Sequence, residues 1–131
     1  MTINELLIRT LRDEEVAVVE PGLYTGNASQ YYLFRVDEIG DDFGDDTAGG
    51  IRYLTTVYYV CPREYNSIHR RRLTRQRLHA AGFTWPDIVD ATSETDAKGA
   101  DSGRLWQRWV FECEISGGPD GEVEPDGEHV V

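Results

Sequence analysis

The chain has 131 residues, of which 40% are hydrophobic, 11% aromatic and 28% charged, and its formal net charge is −11. This composition fits one globular domain with a single core. No apolar run approaches the ~18 residues that a transmembrane helix requires, which excludes a membrane span. The negative charge disfavours long-range attraction to nucleic acid or to anionic lipid.

The first segment, residues 2–11, begins with the capping-box pair Thr2 and Glu5. Its apolar residues recur with the spacing of one helical face: Ile3, Leu6, Leu7 and Leu11. The segment is therefore predicted to be an amphipathic helix. The same N-terminal region lacks the apolar stretch of a signal peptide, which predicts a protein that is made and folded in a cytoplasm.

Strand patterns follow this helix. Residues 16–19 are β-branched and end before a Pro-Gly pair. Residues 30–39 alternate between apolar and polar side chains, and residues 51–61 are rich in Thr, Tyr and Val. The glycine-rich, acidic segment 40–50 joins these last two runs, which predicts an antiparallel hairpin.

A second helix is predicted over residues 64–81, with Gly82 as its C-terminal cap. Its apolar stripe is weak, because polar side chains interrupt it; the stripe consists of Tyr65, Ile68, Leu73 and Ala80. A helix with two partly apolar sides is expected to pack against the sheet on one side and against a neighbour on the other.

Two further strands are predicted at residues 88–95 and 105–115. The order α-β-β-β-α-β-β favours an α+β fold with a mixed, mostly antiparallel sheet of about five strands and two helices packed on it. Residues 1–115 form the single domain in this interpretation. Residues 116–131 are rich in glycine, proline and acids, which predicts a disordered acidic tail.

Cys61 and Cys113 lie within strand-like runs and are expected to be buried free thiols.

The sequence contains no motif of a catalytic or metal site, so neither enzyme activity nor a cofactor is expected. His69 and His79 are ten residues apart on one helix, about 80° out of phase, and cannot share an ion. The acidic segment 41–46 lacks the ordered ligand spacing of a calcium loop. It is interpreted as a solvated hairpin loop, or as a charged loop that faces a pore or a partner; its acids are Asp41, Asp42, Asp45 and Asp46.

The arginine-rich second helix is the strongest functional feature. Six of the 13 basic residues lie between positions 63 and 77. Four of them are candidate subunit-interface residues together with the four aspartates: Arg70, Arg71, Arg75 and Arg77. Three interpretations remain open: charge pairing with acidic segments of a neighbouring copy, phosphate contacts to nucleic acid, or a solvated helix with local ion pairs. The net charge of the chain weakens the nucleic-acid interpretation.

Residues 24–115 resemble the small tail-terminator (tail-completion) proteins of long-tailed bacteriophages. The resemblance depends on the order of four pieces: YYLF at 31–34, the strand at 53–60, the helix-ending AGFTWP at 81–86, and WVFEC at 109–113. AGFTWP is the most specific of them.

The resemblance implies a virion protein that is assembled in the bacterial cytoplasm. Its copies would form a ring, typically a hexamer, that caps the tail tube and joins it to the head connector, without catalysis. The four aspartates could then line a lumen through which DNA passes without being bound. A head-completion (connector) protein and a small, inhibitor-like protein-binding module with an acidic surface are the alternatives.

Overall fold

The computed structural model describes residues 1–16, 18–24, 26, 28–39, 51–92 and 106–123. Two helices and five strands follow one another in this part of the chain: α1 (Ile3–Leu11), β1 (Val18–Pro21), β2 (Tyr31–Ile39), β3 (Ile51–Pro62), α2 (Ile68–Ala80), β4 (Asp87–Asp90) and β5 (Trp106–Gly117). The predicted order α-β-β-β-α-β-β is confirmed. The predicted acidic loop 41–46 lies outside the described residues, as do residues 93–105 and 124–131.

The strands form one mixed sheet in the order β1-β2-β3-β5-β4. β1 is parallel to β2, and all other pairs are antiparallel. The long central strands β2, β3 and β5 carry most of the pairing, whereas β1 and β4, at the edges, have four residues each. The α+β fold with a mostly antiparallel sheet is therefore as predicted.

The core lies on one face of this sheet. α1 begins with the predicted capping box, in which Glu5 N donates to Thr2 Oγ1 and Thr2 N donates to Glu5 Oε1. The buried side of α1 and Leu78 of α2 pack on alternate residues of the strands, among them Tyr32, Val57 and Phe111. Both helices therefore cover the same face, here called the inner face, and none of the described helices covers the opposite one.

Two features of α2 differ from the prediction. The helix begins at Ile68 rather than at residue 64, because the segment before it forms a turn whose carbonyl groups at Pro62 and Tyr65 accept hydrogen bonds from Gln107 Nε2. The predicted apolar stripe is wrong, since Ile68 is 50% exposed. The buried side consists instead of Arg70, Thr74 and Leu78. Gly82 follows the helix with φ of 114°, a conformation suited to glycine, as the cap prediction requires.

The fold extends beyond the predicted boundary at residue 115. β5 ends at Gly117, and the next residues return to the start of α1, where Ile3 N donates to Gly121 O and Val123 N donates to Met1 O. Val123 is buried in the core. Composition alone marked this segment as tail, because one buried valine and a few backbone hydrogen bonds leave almost no compositional signal. The remaining predicted tail, residues 124–131, is outside the described part of the chain.

Both cysteines are buried free thiols, as predicted. Burial raises the pKa of Cys61 to about 11 and that of Cys113 to about 12. Both thiols are therefore protonated and unreactive at neutral pH.

Candidate functional site

The second helix divides its arginines between two sides. Residues four apart lie above one another on a helix, so Arg70, Thr74 and Leu78 share one stripe. All three are buried, with exposed fractions of 6% for Arg70 and 0% for the other two. The next residue, Arg71, is rotated by roughly 100° and lies at the edge of this stripe, where it is partly exposed. One run of arginines thus supplies both a core residue and surface residues.

On the buried side, Arg70 is held by acids of its own chain. Its Nη1 donates to Asp13 Oδ2 at 2.5 Å, and its Nη2 donates to Glu15 Oε1. Arg77 Nη1 also donates to Asp13 Oδ2, at 3.0 Å. Asp13 and Glu15 follow α1, so these contacts tie the segment after α1 to α2.

The pKa of Asp13 reflects this contact. Burial alone would raise the pKa of this carboxyl, but hydrogen bonds from Arg70, from Val16 N and from Arg77 outweigh that effect. The result is a pKa of about 2, below the ordinary value of 3.8. Asp13 is therefore ionised at neutral pH and compensates the buried guanidinium of Arg70.

A second polar contact lies beneath the same side of α2. Tyr32 Oη and Thr74 Oγ1 are 2.5 Å apart and buried. Because Thr74 Oγ1 also donates to Arg70 O at 2.7 Å, the Tyr32 hydroxyl must act as the donor in their shared bond. Both hydroxyl groups therefore have partners within the chain.

The outer side of α2 is built differently, from arginines that lie on tryptophan rings. The guanidinium carbon of Arg71 lies 3.7 Å from the ring centroid of Trp109. That of Arg75 lies 5.0 Å from the ring centroid of Trp85, and His79 meets the same ring edge-on at 4.4 Å. Among the described residues neither arginine forms an ion pair. Their charge is supported by aromatic faces rather than by carboxylates.

Gln107 fixes this arrangement from β5. Its Oε1 accepts hydrogen bonds from Trp109 Nε1 at 2.7 Å and from Ser67 Oγ at 2.9 Å. Ser67 Oγ in turn accepts a hydrogen bond from Arg71 Nε at 3.0 Å. The tryptophan ring and the guanidinium above it are therefore held by one connected network, which keeps the pair in a fixed geometry.

Large apolar side chains are exposed beside these pairs. Ile68 is 50% exposed, Trp85 49% and Tyr65 39%. We call the set formed by Ile68, Arg71, Arg72, Arg75 and Trp85 the outer surface of α2. Arginine and tryptophan are the residue types most enriched among the energetically dominant residues of protein interfaces. The surface therefore has the composition of a protein contact.

The positive electrostatic potential of the outer surface of α2 extends to the end of β4. The pKa of Asp90 is lowered mainly by hydrogen bonds from Thr92, with further contributions from the positive charges of Arg71 and Arg63. Asp90 nevertheless forms no ion pair with these arginines. The guanidinium groups of Arg71 and Arg75 thus have no carboxylate partner among the described residues, and Arg75 Nε is buried without a hydrogen bond.

The predicted interface residues do not lie together on one surface of the structure. Arg71 and Arg75 lie on the outer surface of α2, whereas Arg70 is a buried residue of the subunit itself and Arg77 is paired with Asp13. Arg70 must therefore be removed from the predicted interface. Asp41, Asp42, Asp45 and Asp46 lie outside the described residues. Sequence reasoning missed Trp85 and Trp109, although Arg71 and Arg75, four apart on one helix, indicated a shared exposed row.

In the part of the chain that the structure describes, no group of His, Cys, Asp and Glu residues is placed to hold a metal ion. None of the described helices is long and apolar enough to cross a membrane. No protein-family model matches the sequence, and comparison with curated proteins gives no match. The chemistry of the surface is therefore what indicates its role.

Proposed function

We propose that this chain is a structural subunit of a bacteriophage tail, a tail terminator whose copies form a ring that caps the tail tube and joins it to the head connector. The proposal includes no catalytic activity. One observation carries it: Arg71 and Arg75 lie on tryptophan rings at an exposed surface and form no ion pair among the described residues. Such a surface suits a contact with another protein.

The stacking of arginine on tryptophan supports a role in protein binding, because it holds the arginine side chains in place before a partner binds. A free arginine side chain loses much of its rotamer freedom when it binds, and this loss weakens binding. Arg71 is already held by Trp109 and by Ser67 Oγ. The planar guanidinium still presents N–H groups in the geometry that suits a carboxylate.

The charge of the chain indicates an acidic protein partner, and a neighbouring copy is the simplest one. The net charge is −11, so every other copy offers acidic surface to the outer surface of α2. A contact between two different patches is heterologous, and heterologous contacts generate rings when the rotation closes. DNA is a weaker candidate, because the overall negative charge opposes its approach at long range.

The mass of the protein in solution tests the proposal. We expect light scattering to show a ring, or a monomer that becomes a ring when purified tail tubes are added. Raising the salt concentration should shift the ring toward smaller species, because salt screens ion pairs at the rim of an interface. The double variant Arg71→Gln/Arg75→Gln should lose assembly.

The matched control is Arg9→Gln/Arg12→Gln, which removes the same charge from exposed positions on and after α1. It should assemble as the wild type does. Wild-type assembly by Arg71→Gln/Arg75→Gln would refute the role of this surface. A strictly monomeric protein that does not bind tail tubes but binds one host protein would instead favour a small binding module.

A further inference from the structure

The face of the sheet opposite the helices, here called the open face, carries an apolar row that crosses four strands. Cross-strand pairing places its residues side by side: Leu33 on β2, Tyr58 on β3, Val110 on β5 and Val89 on β4. Val89 is 48% exposed, and Leu23, from the connection after β1, is 86% exposed. In a mostly antiparallel sheet such a face is usually polar. Val110, within the row, is only 9% exposed, so the accessible apolar surface lies at Val89 and Leu23, with Leu33 and Tyr58 partly buried.

A charged row lies beside the apolar one, two residues along each strand. It runs from Arg35 on β2 through Thr56 to Glu112 and Asp87 on β5 and β4. Glu112 and Asp87 are directly opposite each other and exposed, and directly opposed like charges destabilise a sheet. Neither accepts a hydrogen bond or an ion pair from another described residue. The row is thus positive at one end and negative at the other.

These charges cannot neutralise each other within one chain. Neighbouring strands are about 4.8 Å apart, so Arg35 and Asp87, three strands apart, are separated by roughly 14 Å. Arg35 contacts only Asp37 among the described acids, in an exposed pair of 3.1 Å that contributes little to stability.

We propose that the open face binds the open face of a second copy of this chain, related by a two-fold axis that runs parallel to the strands between β3 and β5. This axis exchanges β2 with β4 and β3 with β5 between the copies. It places Arg35 of each copy opposite Asp87 of the other, beside Glu112. It also places Leu33 opposite Val89 and Tyr58 opposite Val110. Each row therefore meets the same row of the second copy, with opposite charges and apolar side chains facing each other.

The shape of the open face agrees with this pairing. A depression of about 310 Å³ lies beside Leu33, between Tyr58, Arg35, Arg108 and the exposed Leu23. The proposed axis brings Val89 of the second copy to Leu33, where its aliphatic side chain enters this depression. Sheets that pack face to face lie ~10 Å apart with interlocking side chains, which is the arrangement required here.

The expected dimer is reversible. Four overlapping strands by about seven residues give a face of roughly 450 Å² per copy, below the ~800 Å² of a standard interface. This contact closes on itself and so cannot build a ring. It is separate from the outer surface of α2, and it can cover the apolar strip of a free subunit.

Sedimentation equilibrium over a wide range of protein concentration tests the proposal with single and paired charge reversals. In the Arg71→Gln/Arg75→Gln background, which removes the ring contact, we expect a monomer–dimer equilibrium for the parent protein and a monomer once Arg35→Glu or Asp87→Arg is added. The double variant Arg35→Glu/Asp87→Arg should dimerise again, because it restores opposite charges at both symmetric contacts. Both substituted positions, Arg35 and Asp87, are exposed, so far-ultraviolet circular dichroism should be unchanged.

Arg72→Glu is the matched control, since it makes the same charge change on the outer surface of α2. It should leave the dimer intact and affect only the ring. In that background, a parent protein that is monomeric at all concentrations, a dimer that survives Arg35→Glu, or an Arg35→Glu/Asp87→Arg protein that stays monomeric would each overturn the two-fold contact. None of these results would bear on a ring formed through Arg71 and Arg75, which the α2 variants test separately.

Discussion

Arg70 and Arg71 are adjacent in the sequence, yet they occupy opposite environments. Arg70 is 6% exposed and binds two carboxylates of its own chain. Arg71 lies on the ring of Trp109 at the surface and forms no ion pair among the described residues. One side of α2 thus has its charge neutralised internally, and the other side keeps its charge available. The comparison shows that a run of like residues on a helix is not one functional unit, because the helical repeat divides it.

The largest effect should come from removing the buried arginine. Arg70→Met leaves Asp13 partly buried with only Arg77 as a cationic partner, so we expect the free energy of unfolding to fall by about 3 kcal/mol. Urea denaturation measures this change. Arg72→Met, an exposed position on the same helix, should change it by less than ~0.5 kcal/mol. Equal losses in the two variants would contradict the division of α2 into two sides.

Acid should act selectively on the buried side. Asp13 has a pKa of about 2 in the folded protein, against an ordinary value of 3.8. The folded state therefore binds fewer protons, and the stability that Asp13 contributes is present above about pH 4 and is lost between about pH 4 and pH 2. Asp13→Asn should be less stable than the wild type at pH 7 and should lose less stability over that acid range. Urea titrations at several pH values test this, and parallel curves for the two proteins would count against it.

The hydrogen bond between Tyr32 and Thr74 should have a smaller effect. Tyr32→Phe and Thr74→Val should each lower the free energy of unfolding by about 1–2 kcal/mol, because each leaves a buried hydroxyl or carbonyl with one partner fewer. The double variant should lose less than the sum of the two single variants. A double-mutant cycle measures this coupling, and strict additivity would show that the two hydroxyl groups do not interact.

The smallest effect on folding should come from the outer side. Arg71→Ala removes an exposed cation–π contact and one hydrogen bond, so we expect a loss of no more than about 1 kcal/mol. Assembly, measured by light scattering, should nevertheless be weakened far more by Arg71→Ala than by the control Arg9→Gln/Arg12→Gln. A loss of stability as large as that of Arg70→Met would show that both sides of α2 serve the fold.

Much of the fold could be predicted because its strongest signals are local. The capping box of α1, the alternation along β2 and the glycine after α2 each act within a few residues, and all three are confirmed. The burial of Arg70 could not be predicted in this way. It depends on Asp13 and Glu15, more than fifty residues away in sequence, and the hydrophobic pattern of α2 marked other residues as buried.

The candidate surfaces were only partly visible in the sequence. The sequence identified the run of arginines but not which of them are buried. The residues that pack beneath a helix determine which of its sides is buried, and those residues are distant in sequence. The open face was missed for a different reason. Leu33, Tyr58, Val110 and Val89 lie on separate strands, and only the register of the sheet brings them into one row. Register depends on the pairing of whole strands, which a single sequence does not display.

The tryptophans of this chain also provide an optical signal of its association state. Trp106 is 6% exposed and Trp85 is 49% exposed, so a soluble quencher should reach Trp85 far more readily. Trp85 lies on the outer surface of α2, beneath the guanidinium of Arg75. If a neighbour covers that surface, the fluorescence of the protein should become less quenchable and shift to shorter wavelength without any added label. Quenchable fluorescence would then measure the population of free outer surfaces directly.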